Sequence, residues 1–230
     1  MSNEVPNNST VTSERTGSVQ VITFDDGRAN ALSEAVSTEL SVALAAATDD
    51  AEVGAVVLVG RDGLFSGGFD LKTIQSGDAN AISEMVDRGG ALCTQIYGAP
   101  VPVVAACTGH AVAAGALMVL ACDLRVGVDG PVKIGLNEVA IGLTLPGWAL
   151  ALAADRLSRR HLQSSIALAQ LHDGPGAVDA GYLDVVVDAD QVVGHAIDRA
   201  AELAEQLDRK AYAQTIEAIR GPALAAMAAG

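Results

Sequence analysis

The stretch LFSGGFDLK, residues 64–72, places three small residues and a phenylalanine between an apolar run and a charged pair. A glycine pair behind a predicted strand indicates that the backbone has to come close to another group. The stretch is neither a dinucleotide fingerprint nor a phosphate loop, because it contains no G-x-G-x-x-G and no G-K-S/T. It predicts a tight turn with a specific neighbour.

Strand and helix patterns alternate on both sides of this turn. The run VGAVVLVG (53–60) is typical of a strand buried on both faces. Further strands are predicted at 18–26 and 101–107 and in the segments DLRVGV, KIGLNEVAIG and DAGYLDVVV. Apolar spacing and caps predict helices at 33–48, 80–97, after 109, from 146, from 158 to the DGPG segment, at 192–209 and at 212–219. The alternation predicts an α/β fold whose sheet is mostly parallel or mixed and is covered by helices.

Composition excludes several classes of partner. The net charge of −14 argues against nucleic-acid and anionic-membrane binding, because both require a basic surface. Residues 89–122 contain no Asp, Glu, Lys or Arg, but Pro100, Pro102 and the turn at Thr108–His110 interrupt them. We therefore expect a buried core there and no membrane span. The polar N-terminus does not resemble a signal peptide, and we expect a cytoplasmic protein.

The cysteine pattern indicates the redox environment to which the sequence is suited. Cys93, Cys107 and Cys122 are odd in number and lie in apolar contexts, which predicts buried thiols in a reducing cytosol and no metal site.

No internal repeat or long linker divides the chain. We expect residues 1–17 to be disordered, 18–190 to form the α/β core and 191–230 to form a C-terminal helical region.

Three segments, in this order, resemble the crotonase superfamily, also called the enoyl-CoA hydratase/isomerase family: FSGGFDLK, TGHAVAAGALMVLACDLRV and NEVAIGLTLP. ANALS upstream and AVDAGYLDVVV downstream match further segments, so the resemblance covers about 19–187. It implies a crotonase-like (ClpP/crotonase) α/β fold of repeated ββα units with C-terminal helices. It also implies an acyl-CoA thioester substrate, no separate cofactor, and a homotrimer or homohexamer whose C-terminal helices pack on a neighbour.

The resemblance gives the opening turn a role. Family members stabilise an enolate on the thioester carbonyl with two backbone N–H groups, which map to Phe69 and Ala114. Preorganised backbone donors are effective in a dry site beside a helix N-terminus. Small residues at Ser66, Gly67 and Gly68 would let the thioester approach the main chain. The alternative is a tight strand-to-helix turn that binds no ligand.

Other residues near these motifs are candidates for substrate or CoA binding. Lys72 is expected near the CoA or the pocket mouth, or as a solvated lysine. Trp148 is expected to line the acyl pocket or to pack in the core, and Asp70 to hold the turn. His110 is a candidate second-layer residue or a packing residue, and no histidine shows metal-site spacing. The full binding set is Arg28, Ala29, Ala31, Ser66, Gly68, Asp70, Leu71, Lys72 and Trp148.

One position departs from the family pattern. Hydratases of the family use two glutamates to hold and activate a water molecule. The first maps to Leu117 and the second to Glu138. With one carboxylate, water addition lacks a partner for the acid and base steps. A single glutamate suffices to move a proton from C2 of a 3-enoyl-CoA to C4.

The resemblance and this departure favour a Δ3-Δ2 enoyl-CoA isomerase that uses Glu138. Two alternatives remain open: an enoyl-CoA hydratase with a non-standard site, and an acyl-CoA-binding subunit without catalysis. A serine-hydrolase reading fails, because Ser66 lies in no nucleophile elbow and has no placed histidine.

Overall fold

The structure of the chain is a computed structural model that describes residues 10–229. Its strands are β1 (Val11–Thr16), β2 (Val19–Phe24), β3 (Ala55–Val59), β4 (Gly63–Ser66), β5 (Val103–Cys107), β6 (Gly109–Val112), β7 (Leu124–Val128), β8 (Ile134–Gly135) and β9 (Val185–Val187). Its α-helices are α1 (Glu34–Asp49), α2 (Leu71–Gln75), α3 (Ala79–Tyr97), α4 (Ala114–Ala121), α5 (Gly147–Arg156), α6 (Leu162–Ile166), α7 (Gly174–Ala180), α8 (Val192–Gln206) and α9 (Arg209–Ala229).

The strands form two sheets in an arrangement of repeated ββα units. The larger sheet has the order β1-β2-β3-β5-β7-β9, and the smaller has the order β4-β6-β8. Only β1 and β2 pair antiparallel among these strands of the described chain, so the larger sheet is mixed and the smaller is parallel. In the pairs β3–β4, β5–β6 and β7–β8, the first strand joins the larger sheet and the second joins the smaller.

The buried strands of the larger sheet face two apolar layers. Along β3, Ala55, Val57 and Val59 pack with residues of α8, whereas Val56 and Leu58 face the main core. Neighbouring residues of a strand point to opposite faces, so a strand covered on both sides is apolar throughout. This explains why the continuous run at 53–60 predicts its strand correctly.

The small parallel sheet brings three distant segments together. Its register places Ser66, Ala111 and Ile134 in one row across β4, β6 and β8. Parallel strands end at the same edge of a sheet, so the residues that follow this row emerge side by side. Phe69 and Ala114 each come three positions after it, and Glu138 comes four positions after it.

The N-terminal expectation needs a correction. Residues 11–16, predicted to be disordered, form β1 and pair with β2 from Val11↔Phe24 to Thr16↔Val19. Most β1 side chains are exposed, because an edge strand needs only its backbone groups to join a sheet. Residues 1–9 lie outside the described residues.

The segment after 158 also differs from its prediction. The single helix predicted up to DGPG is instead α6, which ends at Ile166, followed by an irregular stretch. DGPG begins α7: the Asp173 carboxylate accepts a hydrogen bond from the N–H of Gly176 at 2.8 Å, and Pro175 lies in the first turn. Both features are favoured at a helix start. The strands β4 and β6 lie where the sequence predicts turns, because four residues give little periodic signal.

The C-terminal helix α9 is hydrogen-bonded to the core of the same chain. In α9, Arg220 donates to Asp123 and to the carbonyl of Tyr97, both at 2.8 Å, and its guanidinium lies 4.3 Å from the Tyr97 ring centroid. The hydroxyl of Tyr212 also donates to Asp123 at 2.8 Å. These contacts fix the position of α9 on the core of its own chain.

The charge-free segment 89–122 is mostly buried, as predicted. It contains the end of α3, then β5, β6 and α4. Within residues 10–229, no helix combines the length and apolar character that a membrane crossing requires. Cys93, Cys107 and Cys122 are free and buried.

Candidate active site

The two predicted substrate-binding loops lie side by side. The N–H of Gly67 donates to the carbonyl of Ala29 at 2.9 Å, and the N–H of Leu32 donates to the carbonyl of Gly68 at 2.8 Å. The N–H of Asp70 donates back to the carbonyl of Leu32 at 3.3 Å. These backbone bonds fix the FSGGF turn against the loop that precedes α1.

Asn30 and Ser66 hold the same loops from inside. The Asn30 amide nitrogen donates to the carbonyls of Phe24 at 2.9 Å and Phe65 at 2.8 Å. The Ser66 hydroxyl donates to the carbonyl of Asn30 at 2.8 Å and accepts from the N–H of Gly68 at 3.2 Å. Both side chains are buried. The hydroxyl of Ser66 is therefore committed to the architecture of the turn.

Asp26 organises the loop that contains Arg28, Ala29 and Ala31. Its carboxylate accepts from the N–H groups of Arg28 at 2.7 Å, Asn30 at 2.8 Å and Ala31 at 3.0 Å. Burial acts to raise the pKa of Asp26, but these backbone bonds and the charge of Arg61 outweigh it and lower that pKa. Arg28 and Ala29 remain exposed to solvent, and Ala31 is half-buried.

The FSGGF turn meets the start of α4 at very short range. A Cβ atom on Gly68 would lie 2.9 Å from the Cβ of Ala113 and 3.4 Å from the backbone nitrogen of Ala114. A Cβ atom on Gly115 would lie 2.5 Å from the carbonyl oxygen of Ser66. Gly68 also has a φ of +94°, which strongly favours glycine. The specific neighbour of the opening turn is therefore the N-terminus of α4.

The two predicted oxyanion donors are the backbone N–H groups of Phe69 and Ala114, and both are free of hydrogen bonds within the described residues. Neither N–H donates a hydrogen bond to a residue in the range 10–229. Ala114 is the first residue of α4, where amides have no intrahelical acceptor, and the helix has no side-chain cap. Two open donors therefore lie on neighbouring turns beside Gly68.

Ala113, between β6 and α4, has a strained backbone. Its φ is 54° and its ψ is −127°, a combination that L-residues avoid. Such conformations cost about 1–3 kcal/mol when the residue is not glycine. The N–H of Ala113 is bound to the carbonyl of Gly135 at 2.9 Å, which holds this conformation in place.

A mostly apolar cavity of about 410 Å³ adjoins these turns. This volume lies in the range of small-ligand pockets. One carboxylate, that of Glu138, is present among the described residues of its lining. The lining consists of Phe69, Ile74, Ile82, Val86, Leu117, Glu138, Leu143, Thr144 and Pro146.

Glu138 is positioned by β8 and by the short 3-10 turn at Val139–Ile141. Its carbonyl accepts hydrogen bonds from the N–H groups of Ile141 at 3.1 Å and Leu143 at 2.9 Å. Its Oε2 atom is buried and has no hydrogen-bond partner in the described chain. Burial raises the pKa of the Glu138 carboxyl, and the amides of Glu138 and Asn137 oppose this only partly. The group can therefore accept and release a proton within an apolar cavity.

Leu117 lies on α4 and lines the same cavity. Its side chain is fully buried, with 1% of the residue exposed. The position that the resemblance maps to the first glutamate of family hydratases is therefore apolar here and lines the same cavity as Glu138.

The remaining residues predicted to bind substrate or CoA lie outside the cavity lining, either exposed on α2 or buried beside α3. Leu71 and Lys72 lie exposed on α2, where the Asp70 carboxylate caps the helix by accepting from the N–H and hydroxyl of Thr73 at 3.1 and 2.9 Å. Trp148 is buried against α3, where a Cβ on Gly90 would lie 2.8 Å from its Nε1, and it is not part of the cavity lining.

His110 has a structural partner. Its Nδ1 accepts a hydrogen bond from the N–H of Lys133 at 2.8 Å, which agrees with a packing role. Among residues 10–229, no group of three or more His, Cys, Asp and Glu side chains is arranged to hold a metal ion.

Sequence reasoning missed Asn30 and most of the apolar wall. Ile82 and Val86 are four positions apart on α3 and face the cavity together, a spacing that was visible in the sequence. Asn30 lies within the ANALS segment, and its φ of 50° suits an asparagine at a tight turn. Leu143 and Thr144 lie within the NEVAIGLTLP segment that carries the resemblance, but no helix or strand period marks them as cavity residues.

Known proteins share this sequence and fold. The family model described as enoyl-CoA hydratase/isomerase matches residues 14–227. The mouse mitochondrial enoyl-CoA delta isomerase 1 is 28% identical over 90% of this chain and 75% of its own length. A probable enoyl-CoA hydratase of Bacillus subtilis is 32% identical over 82% of this chain and 73% of its own length.

A solved structure gives the same result for the fold. The crystal structure of a probable enoyl-CoA hydratase from Mycobacterium tuberculosis superposes with a TM-score of 0.93 and 40% identity, covering 96% of this chain and 93% of that one. The fold is therefore the crotonase-like α/β fold, with helices at its C-terminus. The chain is an enzyme of the crotonase superfamily and belongs to the enoyl-CoA hydratase/isomerase family.

Proposed function

We propose that the chain is a Δ3-Δ2 enoyl-CoA isomerase. Its substrate is a 3-enoyl-CoA thioester, and Glu138 is the single group that moves the proton. The backbone N–H groups of Phe69 and Ala114 bind the thioester oxygen. The observation that carries the proposal is the pairing of one carboxylate, that of Glu138 with its buried Oε2 atom, with an apolar Leu117 in the same cavity.

The open amides support the oxyanion role. Enolate formation places negative charge on the thioester oxygen, and a fixed pair of N–H donors stabilises that charge without reorganisation. Phe69 and Ala114 offer such donors on adjacent turns, and the N-terminus of α4 adds its positive dipole end. Loss of one such donor typically costs about 3 kcal/mol of transition-state stabilisation.

One carboxylate is enough for the proton transfer. Ionised Glu138 removes a proton from C2 of the 3-enoyl-CoA, and the electron pair passes into a dienolate whose charge rests on the thioester oxygen. The protonated carboxyl then returns the proton at C4, which gives the conjugated 2-enoyl-CoA. No water or cofactor is consumed. A carboxyl with a raised pKa is a suitable reversible carrier, because neither transfer is strongly uphill.

The relatives allow a second candidate, an enoyl-CoA hydratase. The family contains both activities, and one relative at 32% identity is a probable hydratase. The structure offers one further polar side chain in the cavity, the hydroxyl of Thr144, which is exposed to solvent. In this reading, Thr144 rather than a second glutamate would orient the attacking water.

The test combines turnover with affinity. Glu138→Gln keeps the size of the side chain and removes the proton carrier, so we expect isomerisation to fall by about 10²–10⁴-fold. Affinity for a non-reacting acyl-CoA, measured by calorimetry, should remain unchanged. Full activity in this variant would refute the catalytic role of Glu138.

Thr144→Val separates the two candidate reactions. The substitution keeps the shape of the side chain and removes its hydroxyl. It should leave isomerisation intact under our proposal, whereas a selective loss of water addition to 2-enoyl-CoA would favour the hydratase.

A further inference from the structure

Two consecutive glycines, Gly89 and Gly90, lie in the middle of α3. After proline, glycine is the least favourable residue inside a helix, so a pair of glycines there requires a reason. A Cβ atom on Gly89 would lie 2.5 Å from Cε1 of Phe69. A Cβ atom on Gly90 would lie 2.8 Å from Nε1 of Trp148. The pair therefore allows two aromatic rings from different segments to lie directly against the backbone of α3.

These two rings border different cavities. Phe69 lines the cavity of about 410 Å³ that contains Glu138, the reaction cavity. Trp148 lines a second cavity of about 510 Å³, which lies between α3, the start of α5 and the end of α9. Within the described chain, the linings of the two cavities share no residue. The rings that pack on the glycine pair therefore belong to the partition between the two spaces.

The two cavities follow each other along the contact between α3 and α5. On α3, Val86 lines the reaction cavity, and Gly90 lines the second cavity one turn later, about 6 Å further along the same face of the helix. At the start of α5, Pro146 lines the reaction cavity, and Trp148 lines the second cavity two positions later. The contact between Gly90 and Trp148 therefore lies at the junction of the two cavities.

The indole ring closes this junction by its size. Trp148 is 5% exposed, and the edge of the ring that carries Nε1 faces Gly90. The indole N–H is buried and has no acceptor among the described residues. A buried tryptophan N–H usually has a partner. The ring is therefore held by packing rather than by a hydrogen bond, and its contribution is the volume that it occupies.

The second cavity is apolar where it meets the indole ring. Trp148 and Met227 are buried, whereas Asp87 is exposed and Thr94 and Gln95 are half-buried. The polar side chains therefore lie towards solvent, and the inner wall suits a hydrocarbon chain.

We propose that Trp148 is a specificity-determining residue that limits the length of the acyl chain. An acyl group whose thioester oxygen binds at Phe69 and Ala114 runs along the reaction cavity towards Val86 and ends against the indole ring. A longer chain needs the space beyond the ring, in the second cavity. The inference rests on the proposed function, because it takes the cavity beside Glu138 as the site of the acyl group.

A series of saturated acyl-CoA esters tests this limit without turnover. Affinity, measured by calorimetry from butanoyl-CoA to hexadecanoyl-CoA, should rise about fourfold for each methylene that enters the reaction cavity. The rise should stop once the chain reaches Trp148. In Trp148→Ala the rise should continue, so that the ratio of hexadecanoyl-CoA affinity to octanoyl-CoA affinity increases at least about tenfold. An unlimited rise in the wild type, or equal ratios in both proteins, would overturn the proposal.

Two further variants keep the test decisive if Trp148→Ala does not fold. Trp148→Phe retains a smaller aromatic ring and should move the limit in the same direction by fewer methylenes. Leu152→Ala is the matched control, because Leu152 is a buried residue of α5 that lines neither cavity. It should lower stability and leave the limit unchanged. Equal movement of the limit in Leu152→Ala and Trp148→Phe would show that loosened packing, and not the indole ring, sets the chain length.

Fluorescence gives a direct readout, because Trp148 is the only tryptophan of the chain. A bromine atom at the end of an acyl chain quenches an indole at near contact. Quenching in the wild type should be greatest for the bromoacyl-CoA whose length matches the affinity limit, and absence of quenching at every length would refute the assignment. If Glu138→Gln kept full activity, the proposed function would fail, and the calorimetric and fluorescence results would still decide whether Trp148 limits the acyl chain.

Discussion

Leu117 of α4 and Glu138 after β8 line the same cavity, and only Glu138 carries an ionisable group. The leucine is 1% exposed and gives this part of the cavity wall an apolar surface. A proton can be moved by the carboxylate alone, whereas a water molecule would lack a second charged group to hold it. The apolar residue at position 117 therefore favours isomerisation over hydration.

Leu117→Glu should change the reaction. A second carboxylate opposite Glu138 supplies a partner for water, so we expect hydration of 2-enoyl-CoA to rise by at least about tenfold, since each acid–base group contributes about 10²–10⁴-fold. Like charge should raise the pKa of Glu138 and slow isomerisation. Leu117→Gln is the matched neutral control and should not gain hydration. Equal hydration rates in Leu117→Glu and wild type would contradict this role of position 117.

Gly68→Ala should damage the site more than the fold. The new methyl group would lie 2.9 Å from the Cβ of Ala113 and 3.0 Å from the carbonyl oxygen of Val112, which forces the two donor turns apart. We expect kcat/KM to fall by about 10²-fold, as when one oxyanion donor is lost. Gly77→Ala is the control, because Gly77 has a similar positive φ of +70° with nothing within 4 Å. Equal effects of the two substitutions on kcat/KM would show that contact with α4 is irrelevant.

Ala113→Gly should stabilise the protein. Relief of the strained backbone contributes about 1–3 kcal/mol. The greater freedom of glycine in the unfolded chain offsets about 0.5–1 kcal/mol of this gain. Urea unfolding should therefore give a higher free energy of unfolding than wild type. A loss of about 1 kcal/mol, the ordinary cost of Ala→Gly, would mean that position 113 carries no strain.

Glu138→Gln should also stabilise the protein, in a pH-dependent way. The folded pKa of Glu138 lies above its ordinary value of 4.5 because burial disfavours the charge. The folded state therefore binds more protons than the unfolded state between these two pKa values, and wild-type stability falls as pH rises through that window. The Tm advantage of Glu138→Gln should be absent below pH 4.5 and should grow as the pH rises above it. Glu84→Gln, at an exposed position on α3, is the control. An advantage that does not vary with pH would contradict a buried carboxylate.

Local motifs in the sequence indicated three segments that the structure brings together. Phe69, Ala114 and Glu138 each follow a short strand, and the structure places those strands side by side in one parallel sheet. Their convergence was expected only through the family resemblance, because four-residue strands give little periodic signal. The edge strand β1 was missed for a related reason: its side chains are polar, and its stability comes from backbone pairing with β2.

Residues that act through distant partners could not be predicted. Asn30 bonds to the carbonyl of Phe65, which is 35 positions away, so no local pattern marks its importance. The Ser165 hydroxyl lies 3.1 Å from Nε2 of His172, and the His172 and Tyr182 ring centroids are 5.8 Å apart, in a region that the sequence assigned to one helix and a closing strand. Their proximity depends on the turn at DGPG, which begins α7 rather than ending the helix before it.

The reaction itself is tested most directly by offering 3-enoyl-CoA and 2-enoyl-CoA separately to the purified enzyme and identifying the products by chromatography and mass. A single-carboxylate isomerase converts the 3-enoyl ester to the 2-enoyl ester of identical mass and adds no water. Rapid gain of one water by the 2-enoyl ester would contradict this mechanism and show that the loss of a carboxylate at Leu117 is compensated. If neither ester reacted, the isomerase assignment would also be refuted, in favour of acyl-CoA binding without turnover.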